Sequence, residues 1–135
     1  MKKRTAVTLL CLAIAFATAA TADDQEFQAW MKDTQKTVGK LRKEIEAKAF
    51  TDVATDAATL QEIFKNVEGY FAKAHTDDAV AMSQAVQTIA KQLADAANSG
   101  NAEGAAASLK GVMANCAGCH AAHREKLPDG TSKIK

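Results

Sequence analysis

Apolar residues recur along most of this chain at alternating steps of four and three, the spacing that lines one face of a helix. From about Asp24 to Lys48 the stripe is Phe27, Met31, Thr34, Val38, Leu41 and Ile45. A second stripe begins near Thr51-Asp52, a pair suited to capping a helix N-terminus, and runs through Val53, Ala57, Leu60, Phe64, Val67 and Phe71. A third follows Thr76, with Asp77 and Asp78 where a first turn favours negative charge, and continues through Met82, Val86, Ile89, Leu93 and Ala96. Asn98-Ser99-Gly100-Asn101 is a stop and a new cap. The last segment runs from Ala102 to about Lys126, and Pro128 lies just beyond it.

These stripes predict helices about 30–37 Å long at the usual rise per residue. Their connections are only a few residues each. Short connections make successive helices lie antiparallel beside one another. The expectation is therefore an all-α protein, an up-down-up-down antiparallel four-helix bundle spanning residues 23–127. The period near 3.5 suits the shallow left-handed crossing of such bundles. Residues 128–135, with Pro128, Asp129 and Gly130, are expected to form a flexible tail.

Composition strengthens the helical reading. The chain has 135 residues, 30 of them Ala, with 7 Gly, 1 Pro and only 5% aromatic residues. Alanine is the best helix former, and glycine and proline are the main breakers. One core fits this length and a second does not. Net charge is +1 and the two signs are interspersed, with no basic block, so nucleic acid is not an expected partner.

The start of the chain has a different character. Lys2, Lys3 and Arg4 precede an apolar run from Thr5 to Ala17, and Ala20-Thr21-Ala22 supplies small residues before Asp23. That order reads as a secretory signal peptide over 1–22, with an N-terminal membrane anchor as the alternative. Cys11 follows Leu10, not the small residue that lipid modification calls for. Cleavage after Ala22 leaves residues 23–135 with net charge −2 and two cysteines, Cys116 and Cys119. One close pair is no disulfide framework for an exported protein.

Those two cysteines stand in Cys116-Ala117-Gly118-Cys119-His120, which has the C-x-x-C-H form of c-type haem attachment. Two thiols at this spacing add to the two vinyl groups of one porphyrin, and the adjacent imidazole becomes an axial iron ligand. Cys116 and His120 are four apart and share a helix face, continuing the apolar stripe of Leu109, Val112 and Met113. Ala117 and Gly118 are small enough to let a macrocycle lie close. Two other chemistries use such residues. A thioredoxin-like dithiol belongs to a βαβ setting, whereas no strand is legible here. Zinc would draw on Cys116, Cys119, His120 and His123, but four ligands within eight residues of one helix do not easily surround a metal tetrahedrally.

A C-terminal C-x-x-C-H on the last of four helices resembles the class II c-type cytochromes, the cytochrome c′ family, over essentially residues 24–126. The resemblance implies one covalent haem, with Cys116 and Cys119 as attachment points and His120 as the axial ligand. It implies that Arg124 is the basic residue beside that histidine. His123 departs from the family, which often has Phe or Tyr there, and the low aromatic content is a further mild departure. Trp30-Met31-Lys32-Asp33 is similar to a stretch of the low-spin relatives, whose first-helix methionine is the sixth ligand, which makes Met31 the candidate here.

With Met31 on the iron, the expected function is one-electron transfer in the periplasm with other periplasmic redox proteins. With Met31 only packed in the core, the alternative is a five-coordinate cytochrome c′ that binds nitric oxide or other small gases. No nucleophile, paired carboxylate or distal His/Arg pair suggests an enzyme. A homodimer is compatible with the resemblance.

Overall fold

The computed structural model describes residues 21–135. The leader expected over 1–22 falls outside them but for Thr21 and Ala22. The chain forms a four-helix bundle: α1 is Ala22–Glu46, α2 Phe50–Lys73, α3 Asp77–Asn98 and α4 Ala102–His123. Two three-residue strands, β1 (Arg124–Lys126) and β2 (Ser132–Ile134), pair antiparallel after α4.

The helix ends are specified locally. In the uncleaved chain the Thr21 hydroxyl accepts from the Asp24 amide and the Asp24 carboxylate accepts from the Thr21 amide, a capping box at the start of α1. Asn101 caps α4 by accepting from the Gly104 amide at 2.8 Å. Thr51-Asp52 does not start α2: the helix begins at Phe50 after Ala49, which has no capping side chain. All three interhelix connections are the same device. Lys48, His75 and Gly100 take positive φ just past their helices. The next amide in each case bonds back to Glu44, Phe71 or Ala96, and their own amides bond to Ile45, Ala72 or Ala97. This double return is the Schellman motif. Only the third connection uses glycine, so its necessity was hidden in the first two.

Inside, Leu41, Val53, Leu60, Val67, Phe71, Val86, Leu93 and Val112 are almost wholly buried. Each such side chain gains roughly 1.5–3 kcal/mol from leaving water. The α2 stripe is buried as its spacing predicts. In α3 the buried line is Ala79, Ser83, Val86, Ala90, Leu93 and Ala97. It is displaced from the expected Met82–Ala96 line because α3 packs mainly between α2 and α4 and turns its smallest residues inward. Ser83 is tolerated there because its hydroxyl donates to the Ala79 carbonyl at 2.8 Å.

Polar contacts tie the helices in sequence. Tyr70 at the end of α2 donates to Asp24 at the start of α1 at 2.6 Å, and Lys40 of α1 pairs with Asp56 of α2 at 2.6 Å. Gln87 of α3 donates to Glu68 of α2 at 2.6 Å. The α1–α4 side is the most sparsely packed of the four adjacent pairs.

Candidate functional site

Ala105, Leu109 and Val112 are the buried residues of α4. Continued at the same steps, their line passes through Cys116, Cys119 and His123. The structure follows it: all three are half-buried, and both cysteines pack against the core. Met113 and His120 were expected on the inward stripe. They lie one position to its side and are exposed, Met113 at 41%. The reason is that four- and three-residue steps must alternate to hold one face, and two consecutive fours drift off it. The guanidinium of Arg42 on α1 donates to the Met113 sulfur at 3.4 Å.

Both cysteines carry free thiols. Burial pushes each thiol up from its ordinary value; the neighbouring Cys119 adds to this for Cys116, and the Asp78 charge does so for Cys119. They are therefore held as thiols, not thiolates, at neutral pH. His120 moves the other way. Partial burial, then the Arg124 charge, lowers its pKa, so its imidazole stays neutral with a lone pair to offer. Outside the pair, Ala117 and Gly118 are exposed, and a Cβ at Gly118 would meet nothing within 4 Å. Two cysteines at this spacing with no disulfide between them, followed by a neutral imidazole, fit the donor set that a haem c would require.

The structure encloses His123, whose side chain is only 16% exposed. Its Nε2 lies 2.8 Å from Oδ2 of Asp78 at the start of α3. Its ring sits 5.8 Å from that of Phe71, which is itself 5.5 Å from Phe27 and from Tyr70. An aromatic layer thus gathers the start of α1, the end of α2 and the end of α4. Trp30 joins its edge, 6.4 Å from Phe27, and Met31 is half-buried beside it on α1. Tyr70, pushed up to about 12 by burial and by its bond to Asp24, stays protonated.

The structure therefore places Cys116, Cys119 and His120 in the last turns of α4, with Arg124 as its cap, and brings the start of α1 to the same end through Phe27, while Met31 is half-buried against the core. Among the described residues, no group of three or more His, Cys, Asp or Glu side chains converges as a metal site. No helix described is long and apolar enough to cross a membrane. His75, in the α2–α3 connection, is exposed.

The end of α4 also differs from the expectation. The helix stops at His123, three residues before Lys126, because the chain turns at Leu127–Gly130 and returns as β2. Pro128-Asp129-Gly130 was a legible turn signal. Asp129 accepts from the Thr131 amide at 2.9 Å, and Gly130 takes φ 84°. Compared with protein-family models, with curated proteins and with solved structures, the chain gives no match.

Proposed function

We propose that this chain is a periplasmic c-type cytochrome that holds one covalent haem and carries single electrons. The observation that carries the reading is the placement of the motif: Cys116 and Cys119 are half-buried on the inward line of α4 with no disulfide between them, and His120 follows directly. An antiparallel up-down-up-down order is part of the proposal. Its support is the pairing of helix starts with helix ends: Asp24 with Tyr70, and Asp78 with His123. Export rests on the basic start, apolar run and Ala20-Thr21-Ala22 of the sequence.

The chain's own residues then have distinct tasks. Cys116 and Cys119 supply the sulfurs of two thioether links. His120 would offer a ring nitrogen to the iron; partial burial first, and the Arg124 charge second, favour its neutral form. Phe27, Trp30 and Phe71 form an apolar wall that excludes water, which lowers the solvent rearrangement accompanying any change of charge. Met31 would offer a soft thioether sulfur as a further ligand. A bound haem c supplies an iron that exchanges one electron. With His120 and Met31 both available to hold it, the group would exchange electrons without exchanging ligands, which would suit a carrier meeting redox proteins in brief encounters.

The test is haem staining after denaturing electrophoresis, followed by optical spectra of the oxidised and reduced protein. A covalent band and low-spin spectra in both states are expected. Haem fully extracted by acid-acetone from protein matured in a competent host would overturn attachment. A covalent but high-spin haem would replace electron transfer by gas binding at a five-coordinate iron.

A further inference from the structure

The last twelve residues of the chain are built around the end of α4. A helix leaves its final carbonyls without partners, and here the returning strand takes them. The Lys135 amide donates to the His123 carbonyl at 2.8 Å. The Lys135 ammonium donates to the Ala121 carbonyl at 3.1 Å, and the Arg124 amide to that of His120. A cation at this terminus also opposes the helix dipole.

The same strand fixes a side chain. Arg124 is paired in register with Ile134, and its Nε donates to the Ser132 hydroxyl at 2.9 Å. Ile134 packs against the core, so β2 is anchored from behind. His123, in the same turn, is held by Asp78 and Phe71. The final turn, which carries His120, is thus fastened both by the hairpin and by neighbouring helices.

We propose that the C-terminal hairpin is a clasp that positions His120 and Arg124: Lys135 closes the last turn of α4, and Ser132 holds the Arg124 guanidinium beside the histidine. Ser132 and Lys135 are positioning residues that touch neither the thiols nor the imidazole. The inference rests on the haem reading above. A fixed positive charge next to the axial ligand favours the reduced iron, which carries one positive charge less. Arg124 is exposed even when bonded to Ser132, so what the bond fixes is position: freed from it, the guanidinium spreads over more rotamers and its charge acts on average from farther away.

The experiment compares the intact holoprotein with Ser132→Ala, Ser132→Thr and a chain ending at Thr131. Midpoint potential is measured by redox titration, and amide hydrogen exchange is followed over residues 119–123. Ser132→Ala is expected to lower the potential while leaving exchange nearly unchanged. Ser132→Thr, which keeps the hydroxyl, is expected to retain the original potential. The shortened chain is expected to lower the potential and to speed exchange in the last turn. Unchanged potentials in Ser132→Ala and in the shortened chain overturn the clasp and leave the haem reading intact. Equal losses in Ser132→Ala and Ser132→Thr also overturn it, because the hydroxyl is then not the cause. Absence of covalent haem from the intact protein overturns the haem reading, and the clasp with it.

Discussion

Phe71→Ala is the substitution that most directly tests how the motif end is held together. Phe71 is 1% exposed, and its ring stands 5.5 Å from those of Phe27 and Tyr70 and 5.8 Å from that of His123. Truncating a buried Phe costs about 3–5 kcal/mol through lost transfer energy and the cavity left behind. Edge-on aromatic pairs add roughly 0.5–1.5 kcal/mol each. Two such pairs are lost here, so the upper half of the range applies, about 4–5 kcal/mol. Domains of this size are stable by only about 5–15 kcal/mol, so the change removes a large share. Urea unfolding followed by far-ultraviolet circular dichroism is the assay. The midpoint should fall steeply with an unchanged slope, because the surface exposed on unfolding is nearly the same. The comparison is Phe50→Ala at the opposite end of the bundle, where the ring is half-buried beside Gly100. Its expected loss is about 1–2 kcal/mol. If Phe71→Ala loses no more than Phe50→Ala, the aromatic layer does not organise the site and the argument fails.

Met31→Ala should turn low-spin ferric iron high-spin and speed carbon monoxide binding; an unchanged spectrum shows that Met31 only packs. A Cys116→Ser/Cys119→Ser double variant should melt well below the holoprotein by circular dichroism, because the sparse α1–α4 side then lacks its filling group; equal midpoints contradict this. Glu44 is held above its ordinary value of 4.5, first by burial and then by the Asp56 carboxylate. An acid raised on folding contributes stability below its unfolded pKa and loses it as pH rises through the folded one. Glu44→Gln should therefore raise the thermal midpoint at neutral pH and give no gain below about pH 4.5; a gain that is constant with pH refutes the assignment. His75 holds φ 53°, which costs a residue with a Cβ up to about 1–2 kcal/mol. His75→Gly should recover part of this in chemical unfolding, and destabilisation would argue against the strained turn.

The sequence by itself determined the helices, because burial on one side of a helix imposes a period that survives in any arrangement of neighbours. Val53 to Phe71 could be read in full, and the chain breaks at Asn98–Asn101 and near Pro128 were legible from turn and capping chemistry. It also supplied the C-x-x-C-H grouping, since that chemistry is local. Tertiary structure decided which neighbour each face meets. Ser83 is buried and Met82 only partly so because α3 is wedged between two helices, a fact absent from its own spacing. His123 turned inward and His120 outward because the step pattern from Ala105 had to alternate. Its partners Asp78 and Phe71 come from other helices that no local signal connects. The start of α2 was misread because Thr51-Asp52 has capping chemistry, whereas the Schellman turn through Lys48 had already set the chain direction. Residues 128–135 looked like a tail because short polar segments carry little periodicity. Their order comes from the orphan carbonyls at the end of α4 and from Ile134 reaching the core, both of which exist only once the bundle has formed.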